Sequence, residues 1–126
     1  ALDVLLEVAD FLKKNYSLPV RINTNGLGDL INKKHIAPLL KGKIDCVSIS
    51  LNSSDAEIYE KIVRPVFKDK AYPALLSFAK EAALYVPRVV LTTVATTISR
   101  EDEEKCTRLC EGMGVVHRIR KFAEYK

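Results

Sequence analysis

Four short segments of the chain alternate apolar with polar residues, and stretches with helical periodicity lie between them. Strands and helices in alternation favour parallel strands joined by right-handed helical crossovers. The predicted strands are residues 20–24, 44–51, 89–96 and 115–122. The predicted helices are residues 2–14, 30–40, 54–63, 72–85 and a last one from residue 99 to the glycines at 112–114. We therefore expect an α/β fold with a parallel sheet of about four strands and alternating helices.

Capping and breaking residues predict where several helices begin and end. Ser54, with Glu57 three residues later, has the spacing of a capping box, so we expect Ser54 to begin the third helix. Ser99 precedes an acidic run, which suits the positive end of a helix dipole. Pro38 is expected to break the second helical segment, which ends at Gly42.

The length and composition are those of one globular domain, or of part of one. The chain has 126 residues, of which 48% are hydrophobic, and a net charge of +4. Its basic residues are scattered, so nucleic-acid binding is allowed but not indicated. No apolar run approaches the roughly 20 residues that span a membrane. Three cysteines without a secreted spacing pattern predict reduced thiols and a cytoplasmic location.

Each predicted strand has one polar side. The polar residues are Arg21, Asn23, Asn25, Ser48, Ser50, Asn52, Thr92, Thr96, Arg118 and Arg120. Helices cover both faces of an open parallel sheet, and burying an unpaired neutral polar group there costs roughly 2–7 kcal/mol. We therefore expect these sides to line the lumen of a curved or barrel-like sheet that holds a polar ligand or water. The alternative is that some of the strands are edges with one wet face.

The order and spacing of four motifs make the chain similar to a known family. The motifs are N-T-N-G at residues 23–26, V-S-I-S-L-N at 47–52, R-P-V-F at 64–67 and R-I-R at 118–120. Together they resemble the second half of the core of radical S-adenosylmethionine (SAM) proteins. The most similar subgroup is the one linked to TatD-type metal-dependent hydrolases. The resemblance covers most of the chain, from about residue 2 to residue 125.

This resemblance implies a partial TIM-type (β/α)6 barrel, of which residues 1–126 are a single partial domain. The parent protein would use a [4Fe–4S] cluster to cleave SAM to a 5′-deoxyadenosyl radical and act on an unknown small molecule or peptide. The family's C-x-x-x-C-x-x-C loop and Gly-Gly-Glu-Pro element are absent from this sequence. We expect that the chain follows them in the parent, is inactive alone and holds neither cofactor by itself.

The resemblance also implies roles for individual side chains. Asn23 and Asn25 would lie near SAM at the end of the first strand of this chain. Ser48, Ser50 and Asn52 would meet the ribose and methionine portions, and the strand at 89–96 would border the adenine. Arg118 or Arg120 would pair with a carboxylate of SAM or of the substrate, because a guanidinium fork suits that task. No catalytic residue is expected within this chain.

Other chemistry-bearing residues are expected to be structural. Cys106, Cys110 and Met113 imitate a cluster motif, but cysteines four apart on a helix share one face, whereas a cluster needs a loop that wraps it. Cys46 is expected to be a small core residue. His35 and His117 are far apart, and no carboxylate pair accompanies either at metal-ligand spacing, so no metal site is predicted.

Two other functional classes stay open. One is a non-catalytic α/β module whose polar strand ends bind a nucleotide or a phosphate. The other is a domain associated with nucleic acid, which the positive net charge and the linkage to TatD-type hydrolases implied by the resemblance would support. A partial barrel that lacks its first two strands would expose a sheet edge at residues 20–24, through which we expect the isolated chain to self-associate.

Overall fold

A computed structural model describes residues 2–16, 18–32, 35–64 and 67–121 of the chain. Its strands form a single four-stranded sheet in the order β1-β2-β3-β4, with every neighbouring pair parallel. The strands are β1 (Arg21–Thr24), β2 (Cys46–Ser50), β3 (Arg88–Val94) and β4 (Val116–Arg120). The predicted α/β class and the four parallel strands are confirmed. Residues 33, 34, 65, 66 and 122, over which predicted elements or motifs extend, lie outside the described residues.

Helices alternate with these strands. They are α1 (Leu2–Tyr16), α2 (Gly28–Asn32), α3 (Ala56–Val63), α4 (Ala71–Tyr85) and α5 (Arg100–Met113). Two short 3-10 helices, Ala37–Leu40 and Lys68–Lys70, supplement them. Within the described ranges, no helix combines the length and the apolar composition needed to cross a bilayer.

The second helical segment differs from its prediction. It is divided into α2 and the 3-10 helix Ala37–Leu40, and Pro38 lies in the first turn of the latter. A proline at the start of a helix has a suitable φ and lacks only an N–H that would have no partner within the helix. Pro38 therefore begins a helical turn here, whereas the sequence predicted that it would break one.

The prediction that Ser54 caps α3 is wrong by one residue. Asp55 is the N-cap, and its Oδ1 accepts hydrogen bonds from the backbone N–H groups of Glu57 at 2.8 Å and Ile58 at 3.1 Å. Ser54 instead donates its hydroxyl to Asp102 on α5. The predicted cap of α5 is confirmed, since the Ser99 hydroxyl accepts from the backbone N–H of Asp102 at 3.1 Å.

The two faces of the sheet differ in burial. On the back face, the side chains of the central strands β2 and β3 are buried against the apolar residues of α4 and α5, and this cluster is the core. On the edge strand β4, the back-face side chain of Ile119 is exposed. Its fully buried members include Val47, Ile49, Leu51, Leu75, Leu91 and Cys106. On the front face, Arg21, Asn23, Asn25, Ser50, Arg118 and Arg120 are exposed. The sheet thus has one covered apolar face and one open polar face.

Gly26 sets the distance between β2 and α4 at the end of β1. Its φ is +79°, and an added Cβ would lie 3.0 Å from Ile49 Cγ2 and 3.1 Å from Leu75 Cγ. Only glycine adopts this left-handed backbone freely and leaves that space open. The N-T-N-G motif therefore has a structural reason for its glycine as well as a polar strand before it.

Candidate functional site

A small cavity lies on the front face of the sheet. Its volume is about 130 Å³, and its lining comes from all four strands: Arg21, Asn23, Ser48, Thr92, Arg118 and Arg120. A water molecule takes up about 30 Å³ in the liquid. The cavity therefore has room for one small group, such as a carboxylate or a phosphate.

The parallel register brings these residues together. Asn23 lies opposite Ser48 on the neighbouring strand, and two residues further along β2 the register runs from Ser50 to Thr92 and on to Arg118. Side chains two residues apart on a strand point to the same face. Polar residues that are separated by up to 99 positions in the chain thus converge on one patch.

The cavity has a neutral floor and a cationic rim. Ser48 and Thr92 are 7% and 5% exposed, whereas Arg118 and Arg120 are exposed. The Thr92 hydroxyl donates a long hydrogen bond of 3.4 Å to the Ile49 carbonyl. Hydroxyl groups at the floor offer both donors and acceptors to a bound group.

The charge of the lining favours an anion. Among the described residues, it includes three guanidinium groups and no carboxylate. The ion pairs found in the described part of the chain do not involve these arginines. A guanidinium presents paired N–H donors that match the two oxygens of a carboxylate or a phosphate. The composition of the lining therefore suits one anionic group.

Three of the six predicted site residues lie in this lining, namely Asn23, Ser48 and Arg120. The predicted residues Asn25, Ser50 and Asn52 are not among the described lining residues. The Asn25 side-chain oxygen accepts from the backbone N–H of Leu27 at 3.0 Å, so it serves its own turn. Ser50 is exposed at the end of β2, and Asn52 lies beyond that end.

Arg21 and Thr92 also line the cavity, although the sequence interpretation had placed them only on the polar sides of their strands and not among the individual cofactor-binding residues. Their place on the polar side of their strands was visible in the alternation of the sequence. The register between β1, β2 and β3, which decides their proximity to Asn23 and Ser48, could not be read from the sequence. Arg118, the predicted alternative to Arg120, lines the cavity together with it.

Two residues just beyond the strands have unusual backbone conformations. Asn52 and Thr96 follow β2 and β3 and have φ values of 69° and 71°. Asparagine tolerates the left-handed region, but threonine is branched at Cβ and adopts it rarely. Such residues cluster at ligand-binding sites, and the carboxyl edge of a parallel sheet is where ligands bind in α/β folds.

A buried carboxylate fixes the loop that follows β2. Asp102 Oδ2 accepts a hydrogen bond from the Ser53 hydroxyl at 2.5 Å, and Oδ1 accepts from the backbone N–H of Ser54 at 2.9 Å and from its hydroxyl. Burial raises the pKa of Asp102, but the hydrogen bonds from Ser53 and Ser54 outweigh it and hold the pKa below the ordinary value. The Tyr72 hydroxyl donates to the Ser53 carbonyl at 2.9 Å, which secures the same loop from α4.

The cysteines of this chain do not suit an iron–sulfur cluster. Cys106 and Cys110 lie on α5, as the helical spacing predicted, and the structure shows that both are buried against the back-face core. Burial raises the pKa of Cys106 to about 12 and that of Cys110 to about 11, so both stay protonated thiols at neutral pH. Cys46 begins β2 and is half-buried, so the expectation that it is a core residue is wrong. The three thiols do not form the loop of thiolates that a cluster needs.

Comparisons with protein-family models, with curated proteins and with solved structures find no match to this chain. The functional hypothesis therefore depends on the motif order and on the geometry of the front-face cavity.

Proposed function

We propose that this chain is part of a cytosolic radical SAM protein and supplies one wall of its SAM and substrate pocket. In this proposal, the four strands are the C-terminal part of a partial (β/α)6 barrel, and the front face is the lumen side. One observation carries the proposal. Three of the four motifs of the resemblance lie on strands β1, β2 and β4 of one parallel sheet, and Asn23, Ser48, Arg118 and Arg120 from these motifs line one arginine-rimmed cavity.

The lining residues fit the polar groups of SAM. Arg118 and Arg120 offer guanidinium groups to the methionine carboxylate, which is the size of group that the cavity holds. Asn23, Ser48 and Thr92 offer amide and hydroxyl groups that can hydrogen-bond to hydroxyls or to an amine. When bound, SAM supplies the group that abstracts hydrogen from the substrate. This chain's own residues bind and orient the cofactor.

The cluster ligands would have to come from outside these residues. Because Cys46, Cys106 and Cys110 do not fit a [4Fe–4S] cluster, we propose no redox step for this chain and expect it to be inactive alone. Its contribution is the binding of one anionic end of the cofactor or of the substrate.

The coding sequence around these residues tests the proposal. A radical SAM protein requires a C-x-x-x-C-x-x-C loop and a Gly-Gly-Glu-Pro element upstream of the N-T-N-G strand in the same polypeptide. We expect both in the complete open reading frame. A complete frame without the three-cysteine loop would contradict the proposal, whatever the cavity binds.

A phosphate- or nucleotide-binding module is the second candidate. The observation in its favour is the excess of positive charge, since three guanidiniums exceed what one carboxylate needs and suit a phosphate. In that case, inorganic phosphate should bind to the isolated chain and protect the front face in a titration followed by NMR. Loss of that binding in Arg118→Ala and Arg120→Ala, together with a frame that lacks the cysteine loop, would favour this candidate.

We also propose that the isolated chain self-associates through β1. The carbonyl of Val20 accepts hydrogen bonds from the backbone N–H groups of Asp45 and Cys46, at 2.8 and 3.2 Å. By the alternation of a strand, the peptide groups of Arg21 and Asn23 point away from β2. Asn23→Pro removes one outward N–H, so it should shift sedimentation toward monomer. A wild-type monomer at high protein concentration would contradict this expectation.

A further inference from the structure

We propose that Asp29, His35 and Glu81 form a binding site for a divalent transition-metal ion of the zinc type. One ligand atom from each residue lies within 4.8 Å of the other two. Asp29 belongs to α2, His35 precedes the 3-10 helix Ala37–Leu40, and Glu81 belongs to α4. The set is therefore assembled by the fold from three separate segments, and it lies apart from the front-face cavity.

The distances approach those of a metal site. His35 Nδ1 is 2.8 Å from Glu81 Oε2 and 3.7 Å from Asp29 Oδ2. Zinc binds imidazole nitrogen and carboxylate oxygen at about 2.0–2.2 Å, which in a tetrahedron separates two ligand atoms by about 3.4 Å. The two measured distances lie on either side of that value, so small side-chain rotations bring the three atoms around one ion.

The surroundings orient the ligands. Asp29 Oδ1 accepts a hydrogen bond from the backbone N–H of Ile36 at 2.9 Å, which holds the carboxylate with Oδ2 toward the imidazole. Such outer hydrogen bonds fix the ligand geometry in metal sites. Glu81 lies on α4, and the buried residues of that helix anchor it in the core. The His35 side chain is 73% exposed, so an ion can reach the site from solvent.

The composition of the set favours zinc over the hard cations. A neutral imidazole and two carboxylates bring a charge of about −2, which a divalent ion neutralises, whereas a proton on His35 neutralises only half of it. Imidazole suits Zn²⁺, while Mg²⁺ and Ca²⁺ prefer oxygen ligands alone. Three protein ligands leave a fourth position for water. The ion would tie α2 and the segment at His35 to α4.

Zinc titration of the 126-residue chain tests this site. The measurement is calorimetry with Zn²⁺ near pH 7.5, in a Cys46→Ser background that removes the half-buried thiol. We expect one ion per chain, a Tm that rises with zinc concentration, and much weaker binding of Mg²⁺. His35→Ala and Glu81→Gln should each weaken zinc binding about tenfold or more. Glu57→Gln, which removes an exposed carboxylate elsewhere, should leave the affinity unchanged.

Two outcomes overturn the proposal. One is the absence of saturable zinc binding in the Cys46→Ser background, in which case the three residues form only a side-chain contact cluster. The other is a zinc affinity that is the same in His35→Ala and Glu81→Gln as in the parent background. The His35 side chain is exposed and that of Glu81 is half-buried, and circular dichroism of each variant shows whether it is folded. Replacing Zn²⁺ by Co²⁺ gives a second readout, because tetrahedral Co²⁺ absorbs visible light and the absorption should disappear in His35→Ala.

Discussion

Asp102→Asn is the substitution that should most clearly expose how the loop after β2 is fixed. Asp102 is 8% exposed, and its carboxylate accepts three hydrogen bonds from Ser53 and Ser54. The asparagine has the same shape but one carbonyl oxygen, and its amide group donates where a donor already points. The substitution therefore removes the negative charge and leaves at least one hydrogen-bond donor of the loop facing another donor.

The magnitude follows from the number of contacts. A hydrogen bond to a charged group contributes about 1.5–3 kcal/mol net, and the bonds from one loop to one carboxylate are not additive. We expect Asp102→Asn to lower the free energy of unfolding by about 3 kcal/mol. For a domain of this size that corresponds to a fall in Tm of roughly 10 °C. A loss of this size is a large share of the usual 5–15 kcal/mol or so of total stability.

Urea unfolding at pH 7, followed by circular dichroism, measures this loss. The matched control is Glu101→Gln, which removes a negative charge from the same first turn of α5 at an exposed position. It should cost no more than about 0.5 kcal/mol. If Asp102→Asn costs no more than Glu101→Gln, the hydrogen bonds of Asp102 do not stabilise the loop and the reasoning fails.

The same pair of proteins predicts a pH dependence. The pKa of Asp102 lies below 3.8 in the folded state, so its contribution is fully present above pH 3.8 and is lost as the pH falls through the lower folded value. Asparagine does not titrate. The difference in unfolding free energy between wild type and Asp102→Asn should therefore narrow below pH 3.8. A difference that stays constant down to pH 2 or so would contradict the assignment.

Three further outcomes are expected. Gly26→Ala should lower the free energy of unfolding by about 1–3 kcal/mol in urea, because the added Cβ would lie 3.0 Å from a β2 side chain at a positive φ, and an unchanged midpoint would contradict this. Burial lowers the pKa of His117, so its NMR titration should have a midpoint below pH 6.5. The free energy of unfolding should therefore decrease as the pH falls below 6.5, because the unfolded state then binds the proton more readily. A titration midpoint at or above pH 6.5 would refute this prediction. In the native protein, a thiol reagent should modify the half-buried Cys46 quickly and the buried Cys106 and Cys110 slowly. In urea all three thiols should react fast. Rapid reaction of all three in the native protein would show that α5 does not bury Cys106 and Cys110.

Much of the fold could be predicted from local patterns. The apolar periodicity of α4 predicted residues 72–85, and the helix is Ala71–Tyr85. The β-branched run predicted the third strand, which exists as Arg88–Val94. Such elements could be predicted because the periodicity of apolar residues along a short segment indicates which side of it is buried. The alternation also predicted correctly that each strand has a polar side facing away from the core.

The errors occurred where a distant residue decides the local structure. Ser54 and Asp55 are both good helix caps, and the choice between them depends on Asp102, which lies 48 residues from Ser54 and takes its hydroxyl. Pro38 breaks a helix in its middle but begins one at its first turn, and the sequence does not show which position it holds. In both cases the local signal was compatible with two structures.

The front-face site could likewise be predicted only in part, because distant residues decide which side chains lie close together. Alternation predicted which side chains share a face, but proximity across strands depends on the register, which brings Thr92 beside Ser50. Asn25 was chosen for its residue type, yet its amide oxygen is used by its own turn. The proximity of Glu81 to His35 could not be predicted, because the two residues lie 46 positions apart in the chain.

The central claim is that the front-face arginines bind the carboxylate end of SAM. Its most direct test is equilibrium dialysis of SAM against the complete polypeptide that contains these residues, in wild-type form and as Arg120→Ala. Arg108→Ala is the control, since Arg108 is exposed on α5 and is not among the described residues that line the cavity. One lost charge-assisted hydrogen bond predicts about a tenfold or greater loss of affinity in Arg120→Ala and none in Arg108→Ala. Equal SAM affinity in wild type and Arg120→Ala would contradict the claim.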